Sequence, residues 1–217
     1  MNDVAQFKPI AQPRTIAPVL RFDPVTIALH WATVVLLVTM FASIWSRGFI
    51  GEDTPAGADL LTLHRSAGVT LWVLAFCRLG WRLTFALRPP LPVSVAPLQA
   101  RAAAITEGGL YLLLLVQPFT GLMQTFARGR PFQLFGFEAP QVMARDKGLA
   151  MIFHQVHELA AWLLLGLIAL HVGAALLHGV ILKDGVLQTM LPRRRPHASP
   201  RGAAAPHHDG ASGPRRA

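Results

Sequence analysis

The chain has 217 residues, 53% hydrophobic and only 14% charged, against about a quarter charged in an ordinary soluble domain. So few charges cannot cover a water-facing surface, and a mean hydropathy of +0.43 excludes a soluble enzyme. A net charge of +9 on so apolar a chain points to a membrane protein with arginine-rich connections, not to a nucleic-acid binder. The single cysteine, Cys77, lies in an apolar run. It leaves no disulfide framework and no cysteine-based zinc, iron–sulfur or haem-attachment motif. Nine histidines remain as the plentiful soft ligands.

The first 25 residues carry Pro9, Pro13, Pro18 and Pro24 and lack the apolar core of a signal peptide. The first apolar stretch, Thr26–Trp45 (TIALHWATVVLLVTMFASIW), therefore reads as a retained membrane helix. Three more follow: Leu60–Trp81, Gly109–Phe126 and Ala150–Leu182. A bilayer core takes about 20 apolar residues per helix, and the first, second and fourth stretches reach that length. The third is shorter and holds Gln117, Pro118 and Gly121, which reads as a short or kinked helix. The fourth is long enough to tilt or to project beyond one face. From Pro192 the sequence is PRRRPHASPRGAAAPHHDGASGPRRA, a low-complexity basic tail unable to bury a core. His207 and His208 in it read as solvated. The expected fold is an all-α integral membrane protein. Residues 1–20 form an N-terminal cytoplasmic tail, 21–191 a four-helix transmembrane bundle and 192–217 a disordered basic tail.

Basic residues set the orientation. Lys8, Arg14 and Arg21 precede the first helix, Arg82, Arg88 and Arg101 fall in the second connection, and seven more, from Lys183 to Arg216, end the chain. The first connection holds only Arg47, and the third holds Arg128, Arg130, Arg145 and Lys147. The heavier side is cytoplasmic and includes both termini. The first and third connections then face outward.

Ionisable groups inside membrane helices are costly and mark function. Here they include His30, His64, His154, His157, His171 and His178. His157 and His171 are fourteen residues apart on one helix, which puts them on roughly one face and about 21 Å apart along the axis. His30 lies one turn inside the cytoplasmic end of the first helix, and His64 one turn inside the outer end of the second. Depth therefore pairs His30 with His171 and His64 with His157. Two stacked histidine pairs are what two six-coordinate b-type haems require. His154 is about 100° off that face, and His178 falls near the interface. Gly68, Gly173, Ala174 and Ala175 leave room for a flat macrocycle or serve ordinary small-residue packing. Arg65, Arg78, Arg82, Arg14 and Arg21 are placed either to hold haem propionates or to snorkel to the interface.

The residues RFDPVTIALHW at Arg21–Trp31, LHRSAG at Leu63–Gly68, RLGWR at Arg78–Arg82 and LYLLLLVQPFTGLM at Leu110–Met123 resemble the bacterial cytochrome b561 family. So do ARGRPFQLFGFEAP at Ala127–Pro140, VHELAAWLLLGLIALHVGAALLH at Val156–His178 and LKDGVLQTMLPRR at Leu182–Arg194. The resemblance covers Arg21 to Arg194. It implies a multi-pass cytochrome of the bacterial inner membrane with two haem b groups, on ligand positions matching His30, His64, His157 and His171. Where many members carry a histidine four residues before the tyrosine of the third helix, this chain has Glu107 before Tyr111. The resemblance further implies electron transfer between quinone and a second partner. By resemblance to members that oxidise superoxide in the periplasm and reduce ubiquinone, it implies superoxide as that partner.

On that reading Arg128 and Arg130 steer a small anion towards the outer haem, although ordinary loop charges are the competing account. Glu158, beside His157, is the expected proton-relay carboxylate, ahead of Glu107. The binding partners are the lipid bilayer, quinone and superoxide, with no nucleic acid. One alternative is a cytochrome b subunit that links a dehydrogenase or hydrogenase partner to the quinone pool. Another is a colourless metal or proton transporter.

Overall fold

The computed structural model describes residues 21–87, 89–90 and 95–192. The N-terminal tail with Lys8 and Arg14, Arg88, and the basic tail with His207 and His208 lie outside the described residues. Four long helices dominate: α1 (Pro24–Ile50), α2 (Pro55–Thr84), α3 (Pro97–Ala127) and α4 (Lys147–Leu176). All four are long and apolar enough to cross a membrane. A π-helical turn, Leu177–Leu182, extends α4, and a short 3₁₀ turn, Leu187–Met190, follows.

Each helix begins where its sequence supplies a start signal. Proline stands at the first position of α1, α2 and α3, where its missing N–H costs nothing. Asp23, Thr54 and Asp146 cap α1, α2 and α4 by accepting from the backbone N–H groups of Thr26, Gly57 and Leu149 at 2.9, 3.0 and 2.9 Å. At α3 the capping runs the other way: the Ala96 N–H donates to the Gln99 side chain at 3.0 Å. Gly51 ends α1 with φ of +107°, a left-handed conformation open to glycine.

The third helix corrects the expectation of a short segment. It starts twelve residues before the apolar run and continues as one element through Pro118. Its first turns, PLQARAAAITEG, are alanine-rich and therefore strongly helix-forming, yet too polar to register as a membrane span. Arg101 thus lies on α3, and Arg47 and Arg82 lie in the last turns of α1 and α2, not in connections. At those C-terminal ends a cation complements the helix dipole.

The bundle is built from two tight pairs. α1 packs along α2, α3 packs along α4, and α2 meets α3 more lightly. The core seam of Met40, Ala67, Leu71, Ala75 and Leu114 joins α1, α2 and α3. α4 makes no comparable approach to α1 or α2, so a gap separates it from the first pair.

Both ends are closed by short segments. Outside, strands β1 (Gln133–Leu134) and β2 (Phe137–Glu138) form a hairpin. Phe135 and Gly136 at its tip have φ of 53° and 81°, as a type I′ turn needs. The Phe135 N–H donates to Ser66 Oγ at 2.8 Å, which fixes the hairpin to α2. Inside, residues 187–191 strap across the start of α1. The Phe22 N–H donates to the Thr189 carbonyl at 3.3 Å, and Trp31 Nε1 to the Met190 carbonyl at 3.0 Å.

Asp23 does double duty, since it also accepts from Trp81 Nε1 at 3.1 Å and so ties the entry of α1 to α2. Burial pushes its carboxyl up, but the bonds from Thr26 and Trp81 outweigh burial and hold it below the usual carboxylate range. A depressed carboxylate stabilises the fold fully above its unfolded pKa and stops doing so as pH falls through the folded one. Asp23→Ala should cost about 1–2 kcal/mol at neutral pH and lower the thermal unfolding midpoint in detergent. The gap from wild type should narrow as pH drops below the ordinary carboxylate range, measured by unfolding scans at a series of pH values.

Candidate functional site

Two histidine pairs bridge the gap between α4 and the first helix pair. His64 on α2 faces His157 on α4 with ring centroids 6.4 Å apart and planes at 84°. His30 on α1 faces His171 on α4 with centroids 6.2 Å apart and planes at 58°. These are the two pairs expected from depth along the helices.

The outer pair is held by backbone carbonyls. His64 Nδ1 lies 3.0 Å from the Met40 carbonyl, and His157 Nδ1 lies 3.0 Å from the Gln117 carbonyl. A carbonyl only accepts, so Nδ1 carries the hydrogen on both rings and Nε2 is left with its lone pair. Thr120 Oγ1 adds a contact to His157 Nδ1 at 3.1 Å, and Gln117 Nε2 donates to the His157 carbonyl at 3.0 Å. Gly121 makes room for the ring: a Cβ there would stand 3.0 Å from His157 Cε1.

The inner pair is held differently. Arg78 Nη2 lies 3.2 Å from His30 Nδ1. Guanidinium only donates, so here Nδ1 is the acceptor. Arg78 also lies over the Tyr111 ring at 5.3 Å, as Arg82 does at 5.5 Å. Arg82 makes a two-pronged ion pair with Glu107, its Nη2 bond to Oε2 measuring 2.7 Å.

Over the stretch from residue 21 to residue 193 the chain matches the family model described as prokaryotic cytochrome b561. The chain belongs to the prokaryotic cytochrome b561 family. Among similar proteins, "Cytochrome b561 homolog 1" of Escherichia coli (strain K12) is 30% identical over 180 residues, covering 81% of this chain and 99% of the relative. "Probable superoxide oxidase CybB" of Yersinia pestis is 29% identical over 175 residues, covering 81% and 98%. As a member of that family the chain is a multi-pass protein of the bacterial inner membrane that binds haem b and transfers electrons.

The residues present fit that cofactor. An imidazole nitrogen lies about 2 Å from a first-row metal ion it ligates, so two imidazoles on opposite sides of one iron have centroids roughly 6 Å apart. Both pairs have that spacing, and both lie in the gap where helix packing is missing. Ligating histidines characteristically donate their second N–H to a carbonyl, as His64 and His157 do. Gln117 Oε1 and Arg78 Nε, one near each pair, are buried without a hydrogen-bond partner.

The other expected residues divide. Arg65 lies over the Phe132 ring at 5.3 Å and close enough to Arg128 and Arg47 for their charges to act on it. It has no carboxylate partner among the described residues, whereas Arg47 pairs with Glu52 at 3.0 Å. Arg128 and Arg130 are both exposed at the outer mouth, and Arg128 reaches Gln124 at 3.4 Å. Glu158 is exposed and makes no hydrogen bond among the described residues, since one residue along α4 is a 100° step away from His157. Glu107 is the carboxylate the fold builds into a polar cluster. His154 faces Gln124 at 3.1 Å and His178 pairs with Asp184 at 2.5 Å, so neither joins a pair.

Sequence reasoning missed the Met40 and Gln117 carbonyls, Thr120 and Ser66. Only Gln117 and Gly121 left a trace, as interruptions of an apolar run. Gly121→Val should push the His157 ring out of line and lower the haem bound per chain, read from the haem-to-protein ratio of the purified protein.

Proposed function

We propose that this chain is a di-haem b cytochrome that takes electrons from superoxide at the outer face and passes them to ubiquinone, with both described ends on the cytoplasmic side. The observation that carries the reading is the outer mouth: Arg65, unpaired with any described carboxylate, lies close enough for its charge to act on His64, with Arg128 and Arg47 near it. The relative from Yersinia pestis, named as a probable superoxide oxidase, supports the choice of anion.

His64 and His157, whose Nε2 atoms keep their lone pairs, would hold an outer haem, and His30 and His171 would hold an inner one. A haem bound at each pair would supply one-electron transfer. Arg65 and Arg128 draw a small anion towards the outer pair and orient it there, and Arg130 extends that positive mouth into the solvent. The Phe132–Glu138 hairpin, fixed at Ser66, limits access beside the outer pair. For His30 Nε2 to serve as a ligand, Arg78 would have to give up Nδ1, and its guanidinium would then suit a propionate carboxylate. Overall, two superoxide anions, one quinone and two protons give two dioxygen molecules and one quinol.

Anaerobic addition of superoxide to the oxidised protein tests the reading, with the reduced haem b band as the signal. Fast reduction is expected. No reduction would favour the alternative of a subunit fed by another protein. His64→Ala should halve the haem content and abolish reduction by superoxide, while leaving the inner haem in place. Arg65→Gln should slow that reduction about tenfold or more at low ionic strength, with less effect at high salt.

A further inference from the structure

Oxidising superoxide to dioxygen releases one electron and no proton, whereas reducing a quinone to a quinol takes up two electrons and two protons. The two ends of the bundle differ in the same sense. At the outer end Glu52, Asp53, Asp59, Glu138, Asp146 and Glu158 are all exposed, and the groups close to the histidine pair are cationic. At the inner end a carboxylate is built into the protein. Glu107 of α3 is gripped by Arg82 of α2, and both lie against Tyr111 and Arg78.

These groups, with Thr26 and Met190, line a cavity of about 20 Å³. A space of roughly 10–15 Å³ is enough for one water, provided polar partners surround it. Here a carboxylate, two guanidinium groups, a phenol and a threonine supply them. Met190 belongs to the strap that crosses the inner face, so the cavity lies at the cytoplasmic edge of the bundle. The charged and titratable groups facing Glu107 are Arg78 and Arg82 on α2, Tyr111 on α3 and His171 on α4, whose charge interacts with it. His30 on α1 stands against Arg78, and Asp23, the cap of α1, accepts from Trp81.

We propose that the quinone is protonated at this inner end, and that Glu107 is the group that carries the proton from the cavity water to it. The inference rests on the quinone reaction proposed above. A proton from the water binds a Glu107 carboxylate oxygen and passes to a quinone oxygen as an electron arrives. Glu107 is left as a carboxylate, and Arg82 takes it back into the ion pair. Two such transfers, with two electrons from two superoxide anions, turn one quinone into one quinol.

The test starts from protein reduced with dithionite, which removes any dependence on superoxide. A short-chain ubiquinone is added, and haem reoxidation is followed by stopped flow. Glu107→Gln should slow reoxidation about a hundredfold with haem content unchanged, and Glu107→Asp should recover most of the rate. Infrared difference spectra should show a carboxyl group gaining a proton on reduction of the wild type, and no such band in E107Q. Reoxidation of E107Q at the wild-type rate overturns the proposal and leaves the quinone reading standing. A wild type that quinone does not reoxidise overturns both. Should E107Q lose haem, the wild-type infrared spectrum decides: no change in carboxyl protonation on reduction overturns the proposal.

Discussion

Everything in this bundle follows from keeping two imidazole pairs facing one another across a gap that the helices do not fill. Apolar helices in a membrane gain little by packing against one another rather than against lipid. A gap between α4 and the first helix pair is therefore tolerable where a soluble core would collapse. The histidine rings at 6.2 and 6.4 Å mark its span. Rigid α1–α2 and α3–α4 pairs on either side keep that span fixed. The hydrogen bonds to the Met40 and Gln117 carbonyls do the finer work, because they set which nitrogen of each outer ring faces the gap.

The two ends of the bundle use opposite chemistry around a similar ring spacing. Outside, ring N–H groups donate to backbone carbonyls, and unpaired guanidinium stands nearby. Inside, a guanidinium donates to the ring, and a carboxylate is present to neutralise its neighbour Arg82. An anion that only has to lose an electron suits the first environment. An acceptor that must also gain protons suits the second. The closing segments differ as well: the outer hairpin is fixed at a single serine, while the inner strap offers its own backbone carbonyls to N–H donors of Arg21, Phe22 and Trp31.

Much of this was legible in the sequence. Helix direction and depth alone paired His30 with His171 and His64 with His157, because membrane thickness restricts where a ligand on each helix can sit. All four spans were legible as apolar stretches, three of them at full length. The early turns of α3 were not, since alanine favours helix without raising hydropathy to a membrane value. The carbonyl partners of the outer histidines left no signal, because every residue has a carbonyl and only the fold selects Met40 and Gln117. Adjacency in sequence does not carry Glu158 to the histidine pair, because neighbours in a helix point 100° apart and Glu158 is exposed. Glu107 and Arg82 are 25 positions apart, and only the antiparallel packing of α2 and α3 brings them together.

Electron paramagnetic resonance of the oxidised protein, with iron per chain measured on the same sample, tests the paired-histidine account most directly. The account predicts two low-spin ferric signals of equal weight. The more anisotropic should come from the outer site, whose imidazole planes stand at 84° against 58° at the inner one, and it alone should vanish in His157→Ala. One iron per chain, or a high-spin signal in intact protein, would contradict it.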